Sequence, residues 1–331
     1  MTALFYPDWG ALTVAERPRP EMAADEVLLH VAACGICGSE LETFKARSER
    51  RTPPLVMGHE FCGTVEAVGA EVQDVAVGDR VVSNAVVPCG TCVRCRRGEA
   101  TLCADRQIFG MHRPGAFAEF VAVPARCLLA WPDGHDEPLA NGVHVAELVR
   151  HLAPKLAVVI GAGPIGLMCQ QALQVLLGAE VIVTDLVPER LAVAARLGAV
   201  ETVEARGGGL AAAVGARSQG EGADVVVDAV GSALTKRQSL EVCRPGGAAV
   251  WIGLHGDAMT LDSYGVTLPE KTIYGTYAAH LHELQQALDL MAAGRVDVQS
   301  WVHPFPLTDG VEAFERMLAA QGDDIKAVLL P

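Results

Sequence analysis

Leu156-Ala157-Val158-Val159-Ile160-Gly161-Ala162-Gly163-Pro164-Ile165-Gly166 decides the fold class of this chain. A wholly apolar pentapeptide suits a parallel strand covered on both faces, and a glycine-rich turn follows it without a gap. Next comes an apolar helix through Leu177, then a second strand, Val181-Ile182-Val183-Thr184, ending at Asp185. Gly161 permits the tight turn, Gly163 lets backbone approach a diphosphate, and Gly166 lets the helix lie close to the sheet. Pro164 and Ile165 open the helix whose amino terminus faces the anion. Asp185 falls about 20 residues beyond the turn, where a carboxylate accepts from both ribose hydroxyls and repels a 2′-phosphate. The stretch therefore predicts a dinucleotide site that takes NAD rather than NADP. Arg190 counts slightly the other way, because a nearby guanidinium can stack on adenine or assist a phosphate.

The same alternation continues downstream. A helix from Pro188 to Leu197 stops at Gly198, a third strand with its turn spans Ala223 to Gly231, and a helix over 234–243 precedes Pro245-Gly246-Gly247 and a strand from Ala248 to Gly253. Strands alternating with helices predict an α/β fold with a doubly wound parallel sheet. Residues 206–222 read as a loosely specified helix and loop. Beyond Thr276, residues 282–293 have helical spacing, 302–307 read as a strand, and 309–319 as a helix with Val311, Phe314 and Leu318 on its apolar stripe. Upstream, short β-segments dominate to about residue 130, among them Glu26–Ala33 and the turn and strand of Val77–Val82. Phe117 and Phe120 are expected to line the interior there.

Composition bounds the function. The length of 331 residues suits about two domains, and a half-hydrophobic composition suits a compact core. A formal net charge of −14 opposes nucleic acid or an anionic membrane as partner. The start, MTALFYPDWG, lacks a basic segment followed by an apolar run, and nothing reaches the roughly 20 unbroken apolar residues of a membrane helix. A cytoplasmic protein is expected. Its 10 cysteines then suit metal ligation and reduced thiols better than disulfides.

Two groups of metal-binding side chains stand in the first third. Cys89, Cys92, Cys95 and Cys103 follow C-x2-C-x2-C-x7-C, and four thiolates on short spacers can close a tetrahedral shell around Zn²⁺. Such a shell has no vacancy, so it organises its loop (about residues 88–104) and does no chemistry. Arg94, Arg96 and Arg97 inside it admit a nucleic-acid-binding finger, or simply a solvated face. The second group is Cys37, His59 and Glu60, a thiolate, an imidazole and a carboxylate, donors that Zn²⁺ accepts while keeping a position open. Each residue alone also reads as ordinary core. Gly58, Gly63 and Gly69 punctuate a strand whose tight entrance holds His59 and Glu60.

Gly58-His59-Glu60-x-x-Gly63, with Gly69 and Val72, resembles the zinc signature of the medium-chain dehydrogenase/reductase superfamily, and Cys34-Gly35-Ile36-Cys37-Gly38-Ser39-Glu40 resembles its catalytic cysteine segment. The resemblance spans nearly the whole chain. It implies a GroES-like, β-barrel-like catalytic domain over 1–138, a Rossmann NAD-binding domain over 139–277, and a return to the catalytic domain over 278–331. It makes Cys37 and His59 catalytic zinc ligands, Ser39 the hydroxyl that carries away the substrate proton, and Glu40 the acid that orients a ligand histidine. An aspartate is usual at that last position, and the extra methylene of Glu40 alters the reach. Glu42 replaces the relatives' proton-relay histidine. Glu137, in a Glu-Pro dipeptide like that of the polyol and threonine branch, matches the remaining zinc ligand. The segment before it is shortened, which leaves Glu60 or water as the alternative, and Glu137 also reads as an acid favourable to a helix amino terminus.

The expected function is a zinc-dependent oxidoreductase carrying hydride from a secondary alcohol, foremost a polyol or sugar alcohol, to NAD. Two zinc ions per chain and a homo-oligomer, tetramer or dimer, go with it. Within the family the alternatives are a threonine-like amino-alcohol or a simple alcohol dehydrogenase. From another class comes a zinc-organised protein that binds nucleic acid or senses dinucleotide without chemistry; it leaves Cys37, Ser39 and His59 unexplained.

Overall fold

The computed structural model describes residues 1–131, 140–319, 322 and 324–331. Two compact units divide the chain: Met1–Pro138 with Ala278–Ala293 and Val298–Pro331, and Leu139–Tyr277 with Gly294–Asp297.

The second unit is built on a parallel sheet. Its strands stand in the order Glu201–Glu204, Glu180–Asp185, Leu156–Ile160, Ala223–Asp228, Cys243–Trp251 and Thr272–Gly275. The sheet therefore grows in both directions from Leu156–Ile160, the doubly wound arrangement that the alternation predicts. That central strand is buried at every residue. Val158, Ile160, Ile182 and Val226 form one apolar cluster with Leu210 and Val214 of the helix Gly209–Arg217. The helix Pro164–Leu177 follows the glycine turn and stops at Gly178, whose φ of 66° supplies a left-handed cap. Here close approach is the constraint: a Cβ on Gly166 would lie 1.8 Å from the Gly161 carbonyl oxygen. Gln171, buried on this helix, donates to the Asp297 carbonyl and accepts from the Asp297 N–H at 2.7 Å. This reciprocal pair ties residues 294–297 to the dinucleotide-fold unit.

Two elements differ from the sequence reading. Glu201–Glu204 is an edge strand that the reading left out, because its half-exposed residues and terminal glutamates lack the apolar run of the central strands. The strand expected to begin at Ala248 begins at Cys243, and an irregularity in pairing opposite Ala223 and Val225 accommodates Pro245-Gly246-Gly247 within it.

The first unit is mainly antiparallel. One sheet runs Leu128–Ala130, Arg80–Ser83, Glu60–Val68, Glu26–Gly35, Lys326–Leu330 and Val302–Pro306, with Phe120–Pro124 also paired to Glu26–Gly35; a smaller sheet joins Ala11–Glu16, Thr2–Asp8 and Leu55–Val56. Val27, Leu29, Val31, Phe61, Val65, Phe109, Phe117 and Phe314 meet in its core. Phe117 is buried as expected, but Phe120 is only half-buried, with the Arg19 guanidinium 3.7 Å from its ring centroid and the His30 ring beside it. Strand alternation turns Phe120 to the opposite face.

Gly166→Ala should destabilise the chain by about 1–3 kcal/mol or more, since its methyl group meets backbone and not a yielding side chain. Thermal unfolding measures this as a midpoint several degrees below wild type.

Candidate active site

Register brings the first group of donors together. The strand Glu26–Gly35 ends opposite the start of Glu60–Val68, with Gly35 paired to Glu60 and Cys34 to Phe61. Cys37, two residues beyond the first strand, caps the helix Gly38–Ala46, and His59 immediately precedes the second strand. A ligand atom from each of Cys37, His59 and Glu60 then lies within 4.8 Å of the other two.

The carboxylate of Glu40 organises this group. Fully buried on the helix Gly38–Ala46, it accepts from the Cys37 N–H at 3.0 Å and the Gly58 N–H at 2.8 Å. The oxygen that takes Gly58 also lies 3.0 Å from His59 Nδ1. The extra methylene is thus absorbed, and the glutamate reaches both ligand-bearing segments. With Nδ1 committed to Glu40, Nε2 is the nitrogen available to a metal. Burial alone would raise the Glu40 carboxyl, but His59, Arg51 and the Cys37 N–H outweigh it and hold the group down at about 2. Burial likewise opposes charge on His59, while Glu40 and Cys37 raise it well above the ordinary histidine value. Ser39, in the first turn of the same helix, donates its hydroxyl to Cys37 Sγ at 3.4 Å.

The four-cysteine lobe also assembles. The sulfurs of Cys89, Cys92, Cys95 and Cys103 all lie within 4.8 Å of one another. Backbone N–H groups of Cys92, Cys95 and Cys89 donate to the sulfurs of Cys89, Cys92 and Cys103 at 3.4, 3.5 and 3.4 Å. Donors of this kind favour thiolate. N–H donation from Thr91 and Cys92 brings the Cys89 thiol down to about 6, whereas desolvation and the Cys92 thiol push Cys95 up to about 12. Four sulfurs this close share protons unless a cation replaces them, so the donor set fits Zn²⁺. The lobe's arginines are engaged locally: Arg94 pairs with Glu99 at 2.7 Å, and Arg96 donates to the Thr91 carbonyl.

The residues expected to hold a dinucleotide stand at the turn after Leu156–Ile160 and at and just beyond the end of Glu180–Asp185. Gly161 has φ of 101°, Gly163 caps the helix, and Pro164 is its first residue. A Cβ on Gly163 would meet nothing within 4 Å, which leaves room for a diphosphate above the helix amino terminus. Asp185 accepts from the Ala162 N–H at 2.6 Å and the Val187 N–H at 2.9 Å, so its carboxylate is fixed beside the glycine turn. Arg190 lies in the first turn of the helix Pro188–Arg196, and Ile165 in the first turn of Pro164–Leu177.

Comparison with known proteins settles the family. Residues 23–133 match the alcohol dehydrogenase GroES-like domain, and residues 164–293 match the zinc-binding dehydrogenase family. The chain is 34% identical to a D-arabitol-phosphate dehydrogenase of Enterococcus avium, over 98% of this chain and 95% of that one. It is 32% identical to an L-threonine 3-dehydrogenase of Saccharopolyspora erythraea, over 94% and 93%. Alcohol dehydrogenase TADH from Thermus sp. ATN1 superposes with a TM-score of 0.90 at 30% identity, covering 100% of this chain and 99% of that one. The chain belongs to the zinc-binding dehydrogenases.

For this zinc-binding dehydrogenase the sequence reading missed two buried cations. Lys326, 1% exposed, opens the strand Lys326–Leu330 and pairs through Nζ with Glu60 Oε2. A Cβ on Gly35 would lie 2.7 Å from Lys326 Cε and 2.8 Å from Glu60 Oε2, so a larger residue there would have to push the ends of both side chains aside. A lone lysine heading the apolar run Ala327-Val328-Leu329-Leu330 was the available signal. Arg51, also 1% exposed, donates to Ser39 and to Gly110. In sequence it hides within Glu49-Arg50-Arg51, which looks like a solvated charge run.

Other candidates go elsewhere. His112, a loop histidine that the sequence offers as a substrate contact, is exposed and its Nδ1 accepts from the Ile108 N–H at 3.1 Å. Glu42 is exposed on the helix Gly38–Ala46. Glu137 lies outside the described residues.

Glu40→Ala would leave the Cys37 and Gly58 N–H groups without their acceptor. Its metal affinity at the Cys37 group should fall about 10–100-fold, measured by competition with a chromophoric chelator. Loss confined to the four-cysteine lobe would contradict this.

Proposed function

We propose that this dehydrogenase oxidises a secondary alcohol, foremost a polyol or sugar alcohol, to the ketone with NAD. The observation that carries the reading is the convergence of Cys37, His59 and Glu60 on one point, with the Ser39 hydroxyl beside Cys37. In this reading Cys37 and His59 hold the catalytic ion, with Glu60 or Glu137 as the remaining protein ligand. Cys89, Cys92, Cys95 and Cys103 hold a second, structural ion. A zinc ion so held supplies Lewis-acid stabilisation of an alkoxide, and the bound dinucleotide supplies the hydride acceptor.

The chain's own residues do the rest. Ser39 accepts the proton of the substrate hydroxyl and passes its own outward, to water or to Glu42. Glu40 keeps His59 in the tautomer whose Nε2 faces the ligand site. Lys326 balances the charge of Glu60 in a buried setting where an unpaired carboxylate is costly. Asp185 receives the ribose hydroxyls and disfavours a 2′-phosphate, which supports NAD over NADP. Gly161, Gly163, Pro164, Ile165 and Gly166 cradle the diphosphate, and Arg190 lies near the adenosine end. The likeness to a D-arabitol-phosphate dehydrogenase supports a polyhydroxylated substrate, and that to an L-threonine 3-dehydrogenase supports an amino alcohol as the second choice. No described helix is long and apolar enough to cross a membrane. A cytoplasmic homo-oligomer, a tetramer rather than a dimer, completes the reading, and light scattering on the purified chain measures the assembly.

Cys37→Ser should reduce turnover by at least about 10³-fold while NAD affinity stays within about twofold, because its sulfur serves the reacting oxygen and not the dinucleotide. Elemental analysis should count two zinc ions per wild-type chain and one in the variant. Unchanged turnover in that variant would reject the catalytic role. Asp185→Ser should shift the ratio of kcat/KM for NAD over NADP by about 1–3 kcal/mol, roughly 10–100-fold, toward NADP. A panel of polyols, polyol phosphates, L-threonine and simple secondary alcohols identifies the substrate class.

A further inference from the structure

Arg51 offsets the charge of the buried Glu40 carboxylate, but its hydrogen bonds go to other groups. Its guanidinium is buried beside the first turns of the helix Gly38–Ala46, the end where the helix dipole disfavours a cation. Removing such a charge from water is expensive, and an apolar residue of similar volume often serves packing as well or better. Two of its four bonds go to one residue: Nη1 donates to the Ser39 carbonyl at 2.8 Å and Nη2 to the Ser39 hydroxyl at 3.1 Å. Nη1 also reaches Thr43 Oγ1 at 3.2 Å, and Nε donates to the Gly110 carbonyl at 3.1 Å. Thr43 Oγ1 in turn donates to the Ser39 and Glu40 carbonyls. The fork is locked from three sides.

We propose that Arg51 is a positioning residue that fixes the direction in which the Ser39 hydroxyl gives and takes a proton. The inference rests on the proton-carrying role given to Ser39 above. A serine hydroxyl has one O–H to donate and two lone pairs to accept with. Arg51 fills one lone pair, and because a guanidinium has no acceptor and does not deprotonate, it takes no part in the transfer itself. One lone pair and one O–H remain. The lone pair receives the substrate's proton: the substrate O–H breaks, an Oγ–H forms, and the proton that Oγ carried before leaves to water. Without Arg51 that lone pair is no longer held, and the hydroxyl gains rotational freedom that weakens both directions together. Ser39 Oγ lies 3.4 Å from Cys37 Sγ, which places the hydroxyl beside the ligand group.

A double-mutant cycle tests this on the zinc-loaded enzyme with NAD and the best substrate of the panel. Arg51→Met should lower kcat about 10–100-fold with Ser39 present, and by less than about twofold in a Ser39→Ala background. NAD affinity and zinc content should stay within about twofold of the matched parent. Arg51→Lys keeps the charge but loses the fork, so it should behave like Arg51→Met at a smaller amplitude, and it carries the cycle if the methionine variant does not fold. In chelator-stripped protein, the drop in Tm caused by Arg51→Met should be about one or two degrees smaller when Ser39 is already alanine, because one of the lost bonds is gone beforehand. An equal fold-loss of kcat in both backgrounds overturns the role of Arg51 while leaving that of Ser39 standing. Wild-type turnover in Ser39→Ala overturns both.

Discussion

The Glu40 carboxylate accepts from Cys37 and Gly58 and faces His59, and the candidate site depends on that set of contacts. The two segments it joins are 19 residues apart in sequence at their hydrogen-bonded side chains. Backbone pairing of Gly35 with Glu60 brings them near, but pairing alone leaves the loop residues beyond the strand ends undirected. A buried carboxylate with acceptor sites on both oxygens supplies the direction, because each N–H it takes would otherwise be stranded away from water. Ligand geometry and local folding are therefore one problem at this point in the chain.

Charge at the site is arranged in complementary pairs. Glu40 faces His59 and the field of Arg51, while Glu60 faces Lys326. Neither anion is left alone in a low-dielectric setting, and neither cation is at the surface. The metal-binding groups consequently lie among fixed charges that do not depend on solvent to compensate them. That is a preorganised arrangement, set before anything binds.

Much of this was legible in the sequence where the physics is local. An apolar pentapeptide followed by spaced glycines specifies strand, turn and helix within 11 residues, from Leu156 to Gly166, and the cysteine spacing specifies a four-sulfur lobe in the same way. Donor chemistry suggested grouping Cys37 with His59 and resemblance strengthened it, but no local rule says which strand end meets which. Arg51 was not legible and Lys326 left only a lone charge ahead of an apolar run, because a buried cation is recognised by its partners and those partners are distant in sequence: Lys326 and Glu60 are 266 residues apart. The edge strand Glu201–Glu204 lacked a signal of its own, since pairing with Glu180–Asp185 creates it. Phe120 shows the reverse error, hydrophobicity read without the alternation that decides which face a side chain takes.

The offset of Gly35 against Glu60 is set along the whole length of two long strands, which also contain register irregularities at Leu28–Leu29 and Val31–Ala33. Moving that alignment by a single position would turn Glu60 away from Lys326 and carry His59 out of reach of Glu40, even if every apolar residue found some other cover. Damage deep in the barrel could then surface first as a protein that still folds but no longer retains its metal, so the ion's occupancy would report on alignment errors arising far from it.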